Sequence, residues 1–140
     1  MNVLDSCVIA KWYIDEGDSK AARKLLETTD VLSAPSIVVS EVIAAFSRYF
    51  TGGKSTISAE AALEKWRNSL QHGLLRIVDH DFFFLDAMQL SIKLEHAFHD
   101  CLYLVHAQRE NARLITADKK FARKARLVYP ETYLLSEMKF

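Results

Sequence analysis

The chain of 140 residues is half apolar and carries 18 basic and 18 acidic residues, so its formal net charge is zero. This composition fits a globular protein with a sizeable core, and the charge balance gives no reason to expect bulk attraction to nucleic acid or to an anionic membrane. Two cysteines exclude a disulfide framework, and no uncharged run approaches the roughly 20 residues needed to cross a bilayer. We therefore expect a single domain over residues 1–140, in the cytoplasm and away from membranes.

Apolar periodicity predicts short strands that alternate with helices along the whole chain. The expected strands cover residues 3–4, 31–34, 75–78, 114–116 and 127–129. The expected helices cover residues 6–14, 19–28, 37–51, 58–73, 82–94, 100–110 and 119–126, and Pro130 begins a loosely determined tail. Short apolar strands between helices indicate a parallel sheet covered on both faces, an α/β/α sandwich. Such sheets bind ligands beyond the carboxyl ends of their strands.

Four acidic residues interrupt or close apolar segments: Asp5, Glu41, Asp100 and Asp118. Asp5 and Asp118 follow apolar strands, so both are expected at the same edge of a parallel sheet. No Lys or Arg lies inside the four apolar segments, and two carboxylates about 4 Å apart repel by about 4 kcal/mol at an effective dielectric near 20. Four converging carboxylates would take up protons or hold a divalent cation, and all-oxygen ligands favour Mg²⁺ or Mn²⁺ over Zn²⁺.

Helix capping is the alternative explanation for three of these acids. Asp5, Asp100 and Asp118 each stand at the start of a predicted helix, where Asp is a good N-cap. Glu41 lies a full turn inside its predicted helix, on the shoulder of the apolar stripe, and cannot cap it. Capping and metal binding are compatible, because a carboxylate held by backbone N–H groups stays ionised.

Four sequence pieces, in order, carry a family resemblance: residues 3–6 (VLDS), 40–42 (SEV), 99–103 (HDCLY) and 114–121 (LITADKKF). With these pieces the chain resembles a PIN domain, and it is most similar to the VapC-type toxins. The resemblance covers nearly the whole chain, and the segment TADKKF is its most specific part. It implies a Mg²⁺- or Mn²⁺-dependent ribonuclease, usually a homodimer, that is inhibited by an antitoxin encoded beside it.

Under this resemblance, Asp5, Glu41, Asp100 and Asp118 match the metal-binding acids, and Ser6 and Thr116 match the small hydroxyl residues that flank the first and last of them. Asp5 and Asp100 are expected as direct ligands and Asp118 as a ligand directly or through water. Glu41 is expected either to bind metal or to orient and deprotonate the attacking water. The chain departs from many relatives after Asp118, because residues 119–123 supply no further acid or amide, which bears on a second metal position.

Basic residues beside the last acid are candidates for binding the RNA backbone: Lys119, Lys120, Arg123 and, on an earlier helix, Arg48. A solvated helix surface explains the same charges without any ligand. Trp12 and Tyr13 could stack on an unpaired base, but packing in the core or against an antitoxin is the preferred explanation.

Three other readings compete with the nuclease. His96, His99, His80 and Cys101 could form a zinc site, but the usual second Cys or His pair is missing. An aspartyl nucleophile at Asp5 would usually need a second Asp two residues on, where this chain has Cys7. A non-catalytic α/β interaction module would keep the acids only as helix caps.

Overall fold

A five-stranded, entirely parallel sheet forms the centre of the protein, of which the computed structural model describes residues 1–52 and 56–140. The strands lie in the order β3-β2-β1-β4-β5, with bounds β1 Asn2–Leu4, β2 Leu32–Pro35, β3 Arg76–Val78, β4 Arg113–Thr116 and β5 Thr132–Leu134. Every neighbouring pair is parallel, as in the register Val3 to Leu114 between β1 and β4. The predicted α/β/α class is therefore confirmed.

Helices cover both faces of this sheet. Their bounds are α1 Ser6–Ala10, α2 Ser19–Lys24, α3 Val38–Phe50, α4 Thr56–Gln71, α5 Phe84–Leu94, α6 Phe98–Glu110 and α7 Lys119–Arg126. Helices α1 to α4 connect strands toward one edge of the sheet, and α5 to α7 connect strands toward the other. Because parallel crossovers are right-handed, the two groups lie on opposite faces. No helix in the described ranges is both long and apolar enough to span a bilayer.

The core lies where α6 crosses the central strands. Residues 101–107 of α6 are all buried, and the apolar residues of β1 and β4 are fully excluded from solvent. On the other face, Trp66 is fully buried and its indole N–H donates to the Val39 carbonyl over 3.2 Å. Trp12 and Tyr13 pack here as well: the Trp12 indole donates to the Ala22 carbonyl, and the Tyr13 ring meets Trp66 edge-on. These contacts favour core packing over base stacking for the two side chains.

Several predicted elements differ from the structure by two residues or more. The helix expected over residues 19–28 ends at Lys24 and is followed by a 3₁₀ helix, Leu25–Glu27. The first helix ends at Ala10, and residues 11–14 continue as turns. The helix expected from residue 58 begins at Thr56, so Ser58 lies inside α4 and does not cap it. The last strand is Thr132–Leu134, within the segment expected to be a loose tail, whereas residues 127–129 form a turn after α7. That turn is closed by the Tyr129 N–H, which donates to the Ala125 carbonyl over 2.8 Å.

The central pair of strands defines where a ligand can bind. Strand β1 is followed along the chain by β2 and β3, which lie on one side of it. Strands β4 and β5 lie on its other side, so the strand order reverses between β1 and β4. The Asp5 N–H donates to the Ile115 carbonyl over 3.0 Å, which keeps the two strands paired up to their carboxyl ends. In open parallel sheets, the crevice at such a reversal is the usual binding site.

Candidate metal centre

Asp5 leaves the end of β1 and points into a nearly closed environment. Its residue is 3% exposed. The Thr116 hydroxyl donates to Asp5 Oδ2 over 2.7 Å, and the Ser6 hydroxyl makes a longer bond of 3.4 Å to Oδ1. Although Asp5 occupies the N-cap position of α1, its side chain makes no capping hydrogen bond. Helix capping therefore does not explain this buried carboxylate.

Asp118 stands two residues beyond the end of β4 and is exposed. Its Oδ1 accepts from the Phe121 N–H over 3.0 Å, so it caps α7 as the alternative reading expected. Its own N–H donates to the Thr116 hydroxyl over 3.1 Å. Because Thr116 also donates to Asp5, this one buried hydroxyl links the acids of two neighbouring strands.

Glu41 approaches the same strand ends from α3. It is half-buried beside Val42, and Oε1 accepts a hydrogen bond of 2.6 Å from the fully buried hydroxyl of Tyr103 on α6. Helices from opposite faces of the sheet thus meet at this carboxylate. Tyr103 was not among the residues identified from the sequence as candidates for the site, although it lies three positions after Asp100, on the same helical face.

Asp100 is the third residue of α6, where Ala97 is the N-cap, so Asp100 does not cap that helix. Its Oδ2 lies 2.7 Å from Nε2 of His96. The imidazole that contacts Asp100 is thus that of His96 and not that of the adjacent His99. His96 precedes the helix, so its four-residue separation from Asp100 gave no firm helical expectation.

The carboxylates influence one another electrostatically. Burial raises the pKa of Asp5, and the negative charge of Asp118 adds to the effect. Burial also raises the pKa of Glu41, with Asp5 as a further cause against the opposing hydrogen bond from Tyr103. The pKa of Asp100 rises from 3.8 to about 6, first by burial and then by the charges of Asp5 and Glu41, against the effect of His96. The four acids predicted from sequence are therefore brought into one neighbourhood.

This neighbourhood fits a divalent cation. Within the described ranges, no Lys or Arg nitrogen lies within ion-pair distance of any of the four carboxylates. Potential ligand atoms of His96, Asp100 and Asp118 all lie within 4.8 Å of one another. Asp5, Glu41 and Asp100 are buried or half-buried, have raised pKa values and pair with no Lys or Arg of the described ranges, so a bound cation would stabilise their ionised forms.

The zinc site proposed from His and Cys does not assemble. Of the residues the structure describes, His96 alone among that set joins a cluster of at least three side chains able to bind one metal. His80 instead contacts the Ser36 hydroxyl, and Cys101 is buried in a satellite core cluster.

A cleft of about 430 Å³ opens beside Asp118, between α1, α3 and the connection from β4 to α7. Arg48 and Lys11 bring basic groups into its lining, and Ala10, Ile14, Ala45 and Tyr49 supply apolar surface. Lys11 pairs with Glu16 at 2.9 Å. Lys119, Lys120 and Arg123 lie on the exposed face of α7 and are not part of the cleft lining described here. Lys11 was not identified from sequence, since nothing there distinguishes it from other helix-end lysines.

A parallel sheet that collects carboxylates at its central strand ends defines a class of α/β proteins built to hold divalent cations at an acidic centre. The sequence profile of the PIN domain matches residues 3–127. The protein belongs to the PIN domain family, whose members are generally nucleases.

Solved structures share this fold at low sequence identity. A toxin–antitoxin complex from Klebsiella pneumoniae has 17% identity over 99% of this chain and 100% of that one, with a TM-score of 0.70. VapC20 from Mycobacterium tuberculosis, a toxin that cleaves the sarcin–ricin loop, has 14% identity over 88% and 94%, with a TM-score of 0.66. VapBC2 from Rickettsia felis, bound to a DNA fragment from its promoter, has 21% identity over 95% and 96%, with a TM-score of 0.59. No curated protein matches the chain.

Proposed function

We propose that this protein is a Mg²⁺- or Mn²⁺-dependent endoribonuclease, acting as the toxin of a toxin–antitoxin pair, with residues 1–140 forming one PIN domain. One observation carries the proposal: burial and neighbouring negative charge raise the pKa values of Asp5, Glu41 and Asp100, and no Lys or Arg of the described ranges is paired to them or to Asp118. Burial and crowding of these carboxylates destabilise the metal-free protein. A function that requires the carboxylates, such as metal binding, therefore explains them best.

The four acids have distinct roles in this proposal. Asp5, Asp100 and Asp118 would hold the cation, which when bound offsets charge on the phosphate and favours ionisation of the attacking water. Glu41 is the candidate general base. Tyr103 occupies its Oε1, which leaves Oε2 to take a proton from that water. A carboxylate with a raised pKa is a better base near neutral pH than an ordinary one.

Ser6 and Thr116 are proposed to orient Asp5 and not to contact the substrate. Both hydroxyls donate to this carboxylate, and Thr116 is fully buried. A buried hydroxyl with these bonds has no free donor for a phosphate.

RNA is the proposed substrate because cationic groups surround the acidic centre without neutralising it. Arg48 lines the cleft of about 430 Å³ beside Asp118, and its charge also influences Glu41. The exposed cations of α7 are proposed to contact phosphates further along the strand.

Replacing Arg48 with Gln is expected to weaken RNA binding about three- to tenfold and to reduce the salt dependence of the affinity by about one phosphate contact. Fluorescence anisotropy over a series of salt concentrations, in an Asp5→Asn background that prevents cutting, measures both quantities. Arg67→Gln, the same change on the exposed surface of α4, is the matched control. An unchanged salt slope in Arg48→Gln would remove Arg48 from the RNA-binding surface.

An antitoxin and a second copy of the chain are the proposed protein partners, and the cytoplasm the proposed location. The complexes from Klebsiella pneumoniae and Rickettsia felis support the first. Exposed apolar side chains beside and along α5, including Phe82, Leu85 and Ile92, provide a surface suited to a partner. Light scattering separates a homodimer from the 16.0 kDa monomer.

The experiment that tests the function is incubation of the pure protein with a panel of structured RNAs in Mg²⁺ or Mn²⁺. Matched reactions contain EDTA or the Asp5→Asn protein. We expect cutting that requires metal and that is lost in the variant. Cutting that survives in the variant would indicate a contaminating nuclease, and a protein that cuts no RNA and gains no thermal stability from Mn²⁺ would fit the interaction-module alternative instead.

A further inference from the structure

Among the described residues, His96 is the histidine that groups with two of the acids at distances suited to one metal ion. Its side chain is 8% exposed, and its Nε2 lies 2.7 Å from Asp100 Oδ2. Asp118 completes a trio whose ligand atoms lie within 4.8 Å of one another. Residues 119–122, which follow Asp118, contribute no further carboxylate, so the two acids alone would leave a cation on this side with few protein ligands.

The short contact between His96 and Asp100 suits two ligands of one ion. Protein ligand atoms lie about 2.0–2.2 Å from small divalent cations, so two neighbouring ligands at a right angle are about 3 Å apart. At 2.7 Å the two atoms share a hydrogen bond, so cation binding would replace the proton between them, which leaves to solvent, and only a small adjustment of the spacing would let both atoms reach the same cation.

The imidazole ring is held in the orientation that this role requires. It stacks flat on Phe121, with ring centroids 4.9 Å apart and an interplanar angle of 16°. The Phe121 N–H donates to Asp118 Oδ1, so one residue supports both the ring and the second acid. Before His96, the left-handed backbone of Glu95 turns the chain out of α5, and Lys124 Nζ donates to the Glu95 carbonyl over 2.6 Å.

We infer that His96 is a direct metal ligand, completing a mixed site with Asp100 and Asp118 that prefers Mn²⁺ to Mg²⁺. The inference rests on the proposed function for the presence of a divalent cation and narrows its identity. Mg²⁺ is a hard ion that is bound almost entirely by oxygen, whereas first-row transition ions accept imidazole nitrogen. The nitrogen therefore adds affinity for Mn²⁺ and little for Mg²⁺.

Pulsed electron paramagnetic resonance of the Mn²⁺-loaded protein tests this ligand directly. We expect modulation from a directly bound imidazole nitrogen, which changes when the protein is made with ¹⁵N-labelled histidine. The modulation should disappear in His96→Gln and persist in His99→Gln, which removes a neighbouring, exposed imidazole. The spectrum of the labelled wild-type protein shows by itself whether a histidine nitrogen is bound to Mn²⁺. The test therefore remains valid even if the His96 variant folds poorly.

Calorimetric titration supplies the second readout. His96→Gln keeps an oxygen ligand of similar reach, so we expect Mn²⁺ affinity to fall at least about tenfold and Mg²⁺ affinity to change less than about twofold. A wild-type spectrum that contains bound Mn²⁺ without a nitrogen signal would overturn the inference, making His96 only a hydrogen-bond partner of Asp100, and would leave the nuclease proposal intact. Nitrogen-ligated Mn²⁺ in a protein that cuts no RNA would uphold the ligand and overturn the function.

Discussion

The Asp100→Asn protein is expected to be more stable than the wild type without metal and nearly inactive with it. The pKa of Asp100 rises from 3.8 to about 6, so above that pH the folded chain bears an unfavourable charge that Asn removes. We expect the unfolding free energy to rise by about 1–2 kcal/mol near pH 7.5, less than the full shift implies, because Asn weakens the contact with His96. Metal-dependent cutting should fall at least about a hundredfold.

Urea denaturation in EDTA measures the first effect, and the RNA assay with Mn²⁺ measures the second. Asp86→Asn is the matched control, because it is the same change on neighbouring α5 at a carboxylate that pairs with Arg109 at 2.8 Å. That variant should lose at most about 1 kcal/mol and keep full activity. A lower metal-free stability in Asp100→Asn would contradict the crowding of charge, whatever the activity shows.

The parts of the fold that sequence predicted well are those where local pattern and burial agree. Strand β4 is a short apolar run closed by Thr116, and α7 has the predicted bounds because Asp118 supplies its N-cap and apolar Phe121, Ala122 and Ala125 face the core. Strand β5 was missed because it is only three residues long and lies just after Pro130. It forms through pairing of Thr132 and Leu134 with the exposed edge of β4, a long-range cause that no local window contains.

The candidate site likewise contains residues that could be recognised from the sequence and residues that could not. The four acids were recognisable because a carboxylate inside an apolar segment contradicts its surroundings, and that contradiction is visible in sequence. The residues that form hydrogen bonds with these acids could not be recognised in the same way. Tyr103 and His96 are ordinary residues for a helix and a turn, and their contacts with Glu41 and Asp100 depend on how α3, α5 and α6 meet over the sheet edge.

Two buried hydroxyl groups connect the acids of the site to neighbouring elements of the fold. Thr116 joins Asp5 to the backbone of Asp118, and Tyr103 joins α6 to Glu41 on α3. The bonds that Thr116 donates to Asp5 and Tyr103 donates to Glu41 stabilise these two carboxylates in their ionised form and oppose the effect of burial. Burial and neighbouring charge still leave the pKa values of Asp5, Glu41 and Asp100 raised, and a bound cation would favour their ionised forms.

The stabilisation of the protein by Mn²⁺ is expected to increase steeply between about pH 5 and pH 7 and to level off above that range. In the metal-free fold, Asp5, Glu41 and Asp100 have raised pKa values, so the folded state binds more protons than the unfolded state in this window. Their contribution to metal-free stability is complete at low pH and is lost as the pH rises through the folded values. Mn²⁺ needs the ionised carboxylates, so its binding strengthens over the same range.

Thermal melts at several pH values, with saturating Mn²⁺ and with EDTA, give this increment as a difference in melting temperature. The difference is the quantity to use because burial lowers the pKa of His106 to about 4, and this buried imidazole makes metal-free stability rise with pH in the same window. His106 contributes equally with and without metal, so it cancels. Asp100→Asn should flatten the increment and Asp86→Asn should leave it unchanged. An increment that is independent of pH in the wild type would mean that Mn²⁺ binds elsewhere than at these carboxylates.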